Sequence, residues 1–453
     1  MAHSQKIPTL VPLCRQIYRN DNEIIAIRQN SPLSILDLRT KVIEIYQEVT
    51  QSPIQYWALA MQDSFNFVAG ILALLYAGKQ PMLLNPRYSQ MQQYYQALLT
   101  DDDRNHTQLP DNIIININQL NGDHLTTYLP DNFPLSQVTL FTSGSTGLPK
   151  PIIKTIQQLE KESEILTTYF GSLSDYLFAA SVAHDHMYGL TFKIMLALAN
   201  RAPFICEQIH YQEQLTTYSA KNIVYITSPS MLKTLDYQLK NSQCKKVISA
   251  GGPLSYQEAN LSLQCLGALP NEIYGSSETG VIATRVQYRE NMPWELFPQM
   301  ILKYVKQKSI LISPLLDEAL PLSDKINSLS HNQFHLDGRL DRIVKVAEQR
   351  VSLTYIENQL NQLPEIISVK VITLEQNNRI ILAGVVQLSD IGKHKQQQLG
   401  HFRLSQYFRQ YLKDKLSLVA IPKKWRFVEQ YPVNNQGKLI YIELQALFDT
   451  QRK

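Results

Sequence analysis

A run of small hydroxyl and glycine residues directly after an apolar stretch is the feature that most constrains this chain. The run extends from Thr142 to Lys150, reads Thr-Ser-Gly-Ser-Thr-Gly-Leu-Pro-Lys, and follows the apolar stretch 138–141. This pattern predicts a strand that ends in a glycine-rich loop. Glycine lets the backbone curl with its N–H groups pointing inward, and hydroxyls add donors, so such a loop can hold phosphate oxygens.

The main alternative for this loop is the P-loop of nucleoside triphosphatases. A P-loop needs Gly-Lys-Ser/Thr running directly into a helix. Here Leu148 and Pro149 separate Gly147 from Lys150, and Pro151 follows, so a helix cannot begin in that register. An ordinary surface loop is the simpler alternative for an isolated match.

Three further segments occur downstream of this loop. They are Asn-Glu-Ile-Tyr-Gly-Ser-Ser-Glu-Thr-Gly at 271–280, Phe-His-Leu-Asp-Gly-Arg-Leu-Asp-Arg-Ile-Val-Lys at 334–345 and Pro-Val-Asn-Asn-Gln-Gly-Lys at 432–438. With the loop, and in this order, they resemble the adenylate-forming superfamily of AMP-dependent acyl- and aryl-CoA synthetases and ligases, carrier-protein adenylation domains and luciferases. The short chain looks most like the compact acyl/aryl-AMP ligases of aryl-polyene pigment pathways.

Length and composition bound the class of protein. With 453 residues and 44% hydrophobic content, the chain can bury a large core and should divide into more than one domain. Its four cysteines form no Cys-x-x-Cys pair, which argues against a disulfide framework and a zinc site. The N-terminus lacks the apolar core of a signal peptide, and the longest apolar run, 67–78, is too short to cross a bilayer. We therefore expect a cytoplasmic protein without stable membrane insertion.

Positive charge is concentrated in the C-terminal quarter. Residues 338–453 carry 18 Lys and Arg against 10 Asp and Glu, whereas residues 1–337 carry 25 against 29. No basic stripe with interleaved aromatic residues accompanies this charge, so we expect no nucleic-acid partner. The alternatives are a solvated basic face and a docking surface for an acidic acyl carrier protein, with Lys423, Lys424 and Arg426 as candidate contacts.

Strand-like and helix-like segments alternate along most of the chain. Strands are predicted at 81–86, 113–117, 176–182, 223–226 and 246–249, and helices at 64–75, 157–170, 190–199 and 229–239. This order favours a layered α/β architecture with largely parallel sheets. Beyond it, helices at 350–360 and 401–416 and strands at 367–374 and 380–387 indicate a smaller α+β unit. We expect a large N-terminal α/β domain, residues 1–337, and a small mobile C-terminal lid domain, residues 338–453.

The resemblance implies ATP- and Mg²⁺-dependent activation of an aromatic or fatty carboxylic acid as acyl-AMP. An anionic carboxylate must approach a polyanionic phosphate chain, so the site needs a metal, cationic side chains and preorganised donors. The acyl group would then pass to a pantetheine thiol, either of CoA or of the phosphopantetheine of an acyl carrier protein. Two alternatives remain open: delivery to a non-thiol acceptor, and a catalytically silent regulator that binds a nucleotide or acyl group.

The resemblance also implies which residues bind the nucleotide and the metal. The predicted nucleotide contacts are Thr142, Ser143, Gly144, Ser145, Thr146, Lys150, Gly251, Tyr274, Ser277, Asp324 and Arg339. Glu278, also a predicted catalytic residue, and Thr146 are the candidate Mg²⁺ ligands. Asp324 matches the Thr-Gly-Asp that binds the ribose hydroxyls, although Ser323 replaces its glycine; an ordinary turn aspartate is the alternative. Ser277 stands where most relatives have threonine, which keeps the hydroxyl.

A substrate pocket is implied by the segment His-Asp-His-Met-Tyr-Gly-Leu at 184–190 and by two glycine-containing segments. The predicted lining consists of His186, Tyr188, Gly189, Gly251, Gly252, Tyr274 and Gly275. His186, a predicted catalytic residue as well, would gate the acyl group. His-x-His could instead supply two metal ligands, but the sequence suggests no third ligand nearby. For His184, a hydrogen-bonded structural histidine is the alternative.

Three C-terminal residues complete the predicted chemistry. Lys438, from Pro-x4-Gly-Lys, is the implied catalytic lysine, since an ammonium on a long stem can bridge the attacking carboxylate and the α-phosphate. Asp341 is the implied hinge residue. Glu348 stands where many CoA ligases have a glycine beside the pantetheine tunnel, so this resemblance leaves free CoA as the acceptor in doubt.

Overall fold

The chain forms two compact units in a computed structural model. Unit 1 comprises Met1–Lys303, Leu311–Leu320 and Ser330–Gln333, and unit 2 comprises Tyr304–Ile310, Pro321–Leu329 and Phe334–Lys453. The structure describes residues 9–84, 89–102, 113–120, 128–143, 149–218, 221–239, 243–305, 308–339, 342–346, 349–376, 379–413, 415–433 and 439–449. The domain boundary between 337 and 338 stays a prediction, and both residues lie inside a strand rather than in a turn.

Unit 1 combines helices with two sheets in its described part. Its strands are β1 (Ile24–Arg28), β2 (Ser31–Ser34), β3 (Tyr56–Ala60), β4 (Gln80–Leu83), β5 (Ala97–Thr100), β6 (Ile114–Asn116), β7 (Gln137–Ser143), β8 (Pro149–Thr155), β9 (Leu177–Ala180), β10 (Phe204–Ile205), β11 (Ile223–Thr227), β12 (Cys244–Ala250), β13 (Pro270–Ser276), β14 (Gly280–Val286) and β15 (Trp294–Leu296). One sheet has the order β6-β5-β3-β4-β7-β8, and the other β15-β14-β13-β12-β11-β9-β10-β1-β2.

The strand directions agree with the predicted architecture. Strands β3 to β7 of the first sheet pair in parallel, as do β1, β10, β9, β11, β12 and β13 of the second. Antiparallel pairs occur at the sheet ends, where β7 meets β8 and where β14 meets β13 and β15. The largely parallel α/β architecture is therefore confirmed.

The helices of unit 1 separate the parallel strands along the chain. They are α1 (Ile35–Gln51), α2 (Ser64–Tyr76), α3 (Ile156–Phe170), α4 (Met187–Gly189), α5 (Leu196–Ala199), α6 (Glu213–Thr216), α7 (Pro229–Leu232) and α8 (Tyr256–Leu266), with a π-helical segment, Leu190–Met195, between α4 and α5. Short 3-10 turns lie at Leu13–Tyr18, Ser89–Tyr94 and Ile117–Gln119.

Helix α2 is the apolar segment that the sequence predicted as a buried helix. Its residues are all buried. The Asp63 side chain caps it by accepting hydrogen bonds from the Phe65 and Asn66 N–H groups, a contribution of about 1 kcal/mol. Arg28 in turn holds Asp63 through two hydrogen bonds of 2.8 and 2.9 Å. No helix in the described part of the chain is long and apolar enough to cross a membrane.

Two predicted helix boundaries are wrong, each for a local reason. The helix predicted at 229–239 ends at Leu232, and Asp236 further on accepts a hydrogen bond from the Gln238 N–H at 2.8 Å. Such a side-chain bond offers the backbone an alternative to helix. The helix predicted at 350–360 begins only at Leu353, because residues 349–352 pair as a strand with residues 343–346.

Unit 2 is smaller and mixes strands with helices, as predicted. The chain passes through β16 (Ile301–Val305), β17 (Lys308–Ile312) and β18 (Leu320–Pro321), and then forms β19 (Asp324–Ser328), β20 (Gln333–Arg339), β21 (Ile343–Val346), β22 (Gln349–Ser352), β23 (Ile366–Gln376), β24 (Arg379–Leu388) and β25 (Lys424–Val428). Its helices are α9 (Leu353–Leu360), α10 (Asp390–Lys413), which is interrupted at Gly400, and α11 (Tyr441–Ala446), with a 3-10 turn at Leu418–Ala420.

The core of unit 2 lies against the sheet β23-β24-β25. Strands β23 and β24 pair antiparallel and β25 joins β24 in parallel. Phe408 of α10 and Trp425 of β25 are buried in this core with their rings 5.6 Å apart. The unit therefore has an apolar core of its own, which fits the predicted large and small domains.

Candidate active site

The predicted phosphate loop lies at the turn of an antiparallel hairpin. Strand β7 is followed directly by β8, and Thr142 pairs with Lys150 across the hairpin. Gly144, Ser145 and Thr146 lie outside the described residues. Lys150 is exposed and the chain continues from it as a strand, whereas a P-loop must continue as a helix. The structure thus excludes the P-loop alternative.

Glu278 lies at the tip of a tight turn between β13 and β14. Ser276 pairs with Gly280 across the hairpin, and Gly280 adopts a left-handed backbone conformation with φ of 67°. The Ser276 N–H donates to Thr279 Oγ1 at 3.0 Å, and the Thr279 N–H donates to Ser276 Oγ at 3.2 Å. These bonds fix the turn internally, with Ser277 half-buried and Glu278 exposed.

The exposed Glu278 carboxylate fits the predicted role of a Mg²⁺ ligand. Mg²⁺ prefers oxygen ligands and is usually held by one or two carboxylates together with substrate phosphates. The described part of the chain contains no group of three or more His, Cys, Asp or Glu side chains that could hold a metal. A single protein carboxylate is sufficient for a metal that arrives with ATP. Thr146, the second predicted ligand, lies outside the described residues.

Lys154 of β8 is a buried residue that the sequence reasoning missed. Its side chain is 4% exposed, and its Nζ donates to the backbone carbonyl of Glu278 at 2.8 Å. Burial lowers the pKa of this ammonium, while the nearby carboxylates of Glu162, Glu278 and Asp317 oppose the shift. Lys154 therefore joins the strand that leaves the phosphate loop to the turn that carries Glu278.

Glu162 of α3 is a second buried residue that the sequence reasoning missed. It is 1% exposed and accepts hydrogen bonds from the Val281 N–H at 2.7 Å and from Thr191 Oγ1 at 2.9 Å. Burial raises the pKa of the Glu162 carboxyl. A Cβ atom at Gly280 would lie 2.6 Å from Glu162 Oε1, so this arrangement requires glycine there. A sequence signal existed, because Glu162 shares the apolar helix face with Leu159 and Leu166.

The predicted pocket wall at Tyr188 and Gly189 is anchored to the ends of parallel strands. The Tyr188 hydroxyl contacts the carbonyls of Thr227 at 3.0 Å and Ile248 at 2.9 Å, and burial raises its pKa well above the usual value. A Cβ at Gly189 would lie 1.9 Å from the Ala183 carbonyl oxygen, so only glycine fits. The hydroxyl of Tyr188 therefore holds this segment against the strands β11 and β12.

The two histidines of this segment differ in their surroundings. His184 is buried, with Nδ1 2.9 Å from Ser64 Oγ and Nε2 3.0 Å from the Met61 carbonyl. Both ring nitrogens are thus engaged, which supports the structural alternative for His184. The side chain of His186 is 38% exposed, and its Nε2 lies 3.8 Å from Asp185 Oδ1. That exposure is compatible with the predicted gating role of His186.

The surroundings of His184 predict a specific dependence of stability on pH. Burial lowers the pKa of His184 to about 4, while Asp185 and Asp63 raise it and Lys193 lowers it. The unfolded chain therefore binds a proton at pH 5 that the folded chain does not. We expect the free energy of unfolding to fall by about 2 kcal/mol between pH 7 and pH 5 through this residue.

Urea unfolding at the two pH values measures this effect. The stability is fully present above pH 6.5 and is lost as the pH falls toward 4, so His184→Gln should flatten the profile. His210, which is exposed, provides the matched control, and His210→Gln should leave the profile unchanged. Identical profiles for the wild type and His184→Gln would contradict the assignment.

The remaining predicted pocket residues lie where the parallel strands β12 and β13 end. Ala250 pairs with Ile273, so Gly251 and Tyr274 are the next residues of neighbouring strands. Gly251 has φ of 94° and its missing Cβ would face open space, and Gly252 is similarly unobstructed. A Cβ at Gly275 would lie 2.3 Å from the Gly280 carbonyl oxygen. Ligands of open α/β sheets commonly bind at the carboxyl ends of parallel strands, where these residues lie.

In unit 2, two predicted nucleotide contacts are brought together. Asp324 of β19 pairs with Arg339 of β20 in an antiparallel hairpin, although 14 residues separate them in the sequence. The Asp324 side chain is half-buried, and the Arg339 side chain lies outside the described part. The cross-strand pairing supports a joint role for these residues.

Three predicted C-terminal residues lie outside the described residues: Lys438, Asp341 and Glu348. Arg342, next to the predicted hinge, is held by two hydrogen bonds of 2.9 and 2.7 Å to the carboxylate of Glu357. These bonds therefore anchor the chain within unit 2 at residue 342.

Comparison with known proteins identifies similar sequences and similar folds. Residues 136–300 match the AMP-binding enzyme family. The chain is 21% identical to a 2-succinylbenzoate–CoA ligase of Bacillus cereus, over 93% of this chain and 95% of that protein. Its fold is similar to O-succinylbenzoate coenzyme A synthetase from Bacillus subtilis in complex with AMP (TM-score 0.77, 15% identity, 96% and 97% coverage). It is also similar to the amide bond synthetase McbA from Marinactinospora thermotolerans (TM-score 0.75, 16% identity, 96% and 99% coverage).

The family match and the site coincide in the chain. Residues 136–300 include the hairpin of the predicted phosphate loop, the predicted pocket wall at Tyr188 and the turn that carries Glu278. The similar folds extend over nearly all of the chain and therefore include both units. The resemblance to adenylate-forming enzymes that the sequence predicted is therefore confirmed by an AMP-binding enzyme match over residues 136–300.

Proposed function

We propose that this protein activates an aromatic or fatty carboxylic acid as acyl-AMP and transfers the acyl group to a pantetheine thiol. The observation that carries this proposal is the joining of three predicted segments in unit 1. Lys154 links the strand after the phosphate loop to the Glu278 turn, and Glu162 links that turn to the pocket wall through Thr191. The segments predicted to bind phosphate, metal and acid are thus joined by hydrogen bonds, which supports a common site for them.

Each unit carries described residues that the resemblance implies as contacts of ATP. Lys150 is exposed at the start of β8 and can offer its ammonium to phosphate oxygens. Glu278 would hold Mg²⁺, which neutralises phosphate charge and so lets a carboxylate approach. Asp324 can accept hydrogen bonds from the ribose hydroxyls. The attacking carboxylate oxygen forms a bond to the α-phosphorus, and the bond to pyrophosphate breaks.

The acid would lie beside the rings of Tyr188 and Tyr274 and over the open backbone at Gly251. Aromatic walls suit an aryl or alkyl body, and the missing Cβ leaves room for it. The Bacillus cereus relative is a 2-succinylbenzoate–CoA ligase, which supports an acid with an aromatic ring. The resemblance to the ligases of aryl-polyene pathways implies either an aromatic or a fatty acid.

A pyrophosphate-release assay with a panel of acids tests the proposal. Hydroxybenzoates, cinnamates and medium-chain fatty acids would be supplied in turn with ATP and Mg²⁺. We expect release that depends on the acid and that is strongest for one chemical class. No release with any acid, together with retained ATP binding, would favour the catalytically silent regulator.

A non-thiol acceptor is the second candidate function. The fold similarity to an amide bond synthetase shows that this architecture occurs in an enzyme that makes amides. Preloaded acyl-AMP would be offered to CoA, to pantetheine, to an acyl carrier protein and to simple amines. Acyl transfer to an amine, with none to any thiol, would replace the thiol proposal.

We expect docking of an acidic acyl carrier protein to depend on lysines at the surface of unit 2. Lys423 is exposed and Lys424 is half-buried, and complementary charge raises the rate of encounter in a salt-dependent way. The third candidate, Arg426, is corrected: it donates to the Leu447 carbonyl at 2.8 Å and contacts the Phe448 ring, so it serves the fold.

The double charge reversal Lys423→Glu/Lys424→Glu tests this docking. Transfer to an acidic carrier should slow about tenfold at low salt, and transfer to uncharged pantetheine should not change. The matched control reverses two exposed lysines of unit 1, Lys221 and Lys245. If the rate of acyl transfer to the carrier changes neither with the charge reversal nor with the salt concentration, docking at these lysines is contradicted.

A further inference from the structure

Lys154 contacts the turn that carries the predicted metal ligand Glu278. Its Nζ donates to the backbone carbonyl of Glu278 at 2.8 Å, across 124 residues of sequence. The residue that carries this carbonyl also carries the exposed carboxylate. A contact to the backbone of Glu278 fixes the Cα atom from which that carboxylate extends.

The burial of Lys154 carries a free-energy cost that its contacts must offset. Burial of an ammonium is unfavourable unless other groups compensate for the lost water. The compensating groups here are the Glu278 carbonyl and the nearby carboxylates, among which Glu162 acts most strongly on Lys154. An apolar side chain on this strand would pack without that penalty. The charge therefore indicates a task other than filling the core.

The turn is held from two sides. Lys154 binds it at the Glu278 carbonyl, and Glu162 binds the first residues of β14 at the Val281 N–H, 2.7 Å away. Between these two contacts, the turn is closed by the bonds between Ser276 and Thr279. The tip is thus fixed in position while the Glu278 carboxylate stays exposed.

We propose that Lys154 is a positioning residue that orders the 276–281 turn so that the Glu278 carboxylate is ready to bind Mg²⁺ together with ATP. This inference rests on the proposed function, which supplies ATP with Mg²⁺ as the ligand. Removing the Lys154 ammonium keeps the Glu278 carboxylate in the protein but lets the turn that carries it move. The change should therefore weaken binding of ATP with Mg²⁺ and leave binding of metal-free ATP unchanged.

Lys154→Met is the test variant, since methionine keeps an unbranched apolar stem and loses the donor. Titration calorimetry should show about tenfold weaker binding of MgATP, and binding of ATP in EDTA within about twofold of the wild type. In the Glu278→Gln background, the same substitution should have an effect below about twofold, because its target is already removed. Lys154→Arg, which keeps a charged donor, should restore most of the affinity.

Lys161→Met is the matched control, because Lys161 lies at the surface of α3 in an ion pair with Glu164. It should change neither affinity. Amide hydrogen exchange gives a readout that needs no nucleotide: residues 276–281 should exchange faster in Lys154→Met and not in the control.

The outcomes separate this inference from the proposed function. A wild type that binds no ATP would refute the proposed function, while the exchange experiment would still decide whether Lys154 orders the turn. Equal loss of both ATP affinities, an undiminished effect in the Glu278→Gln background, or unchanged exchange at 276–281 would overturn the positioning role. Failure of Lys154→Met to fold would also overturn it, since Lys154 would then serve the fold.

Discussion

Lys438→Ala should abolish acyl-AMP formation and leave thioester formation from supplied acyl-AMP intact. Lys438 follows the phosphate loop by almost 290 residues, and its predicted role is to bridge the attacking carboxylate and the α-phosphate. Loss of a preorganised charge at a reacting phosphate typically lowers the rate at least 100-fold. The second half-reaction forms no bond at phosphorus, so it should not need this ammonium.

Two separate assays measure this division. Acid-dependent pyrophosphate release reports the first half-reaction, and thiol consumption with supplied acyl-AMP reports the second. The control is Lys413→Ala, an exposed lysine of α10 that should leave both rates unchanged. Comparable loss of both half-reactions in a folded Lys438→Ala protein would contradict the division of labour.

The predicted hinge at Asp341 gives the opposite expectation. If the small domain rotates between the half-reactions, Asp341→Pro should restrict that rotation because proline fixes φ. Acyl-AMP formation should then survive while thioester formation fails. The anchoring of Arg342 to Glu357 supports Asp341 as the place where motion would begin. A normal thioester rate in this variant would exclude a hinge at Asp341.

Glu162→Leu should destabilise the protein by about 3 kcal/mol. The substitution leaves the Val281 N–H and the Thr191 hydroxyl buried without their acceptor, and each such group costs about 1–3 kcal/mol. It also removes a carboxylate that compensates the buried charge of Lys154. Glu162→Gln should cost less, since an amide can accept from Val281 and donate to Thr191.

Urea unfolding of these variants provides the measurement. Glu164→Leu, on the same helix, is the control: its carboxylate is 46% exposed and pairs with Lys161, and such surface pairs contribute about 0–1 kcal/mol. Activity should fall with stability in Glu162→Leu, because the pocket wall and the Glu278 turn lose a common anchor. A Glu162→Leu protein as stable as Glu164→Leu would contradict the structural role of Glu162.

The sequence predicted those helices and strands well whose formation depends on residues near one another in the chain. The apolar segment of α2 with its Asp63 cap, and the alternating segments that form the parallel strands, depend on residues near one another in sequence. The predicted helix boundaries were wrong where another interaction of the same residues competed with helix formation. At Asp236 a side chain bonds the backbone, and at residues 349–352 strand pairing takes precedence over helix propensity.

The sequence by itself determined the α/β class and the resemblance to the adenylate-forming superfamily, and it predicted the segments that would bind phosphate, metal and acid. Each of these depends on residue types at short spacing. Only the tertiary structure decided that Lys154 and Glu162 join those segments. Glu278 and Val281, which they contact in the turn, lie more than 100 residues away, and no local pattern encodes such a contact. It likewise decided that Arg426 serves the fold, since exposure depends on what packs against a residue rather than on its charge.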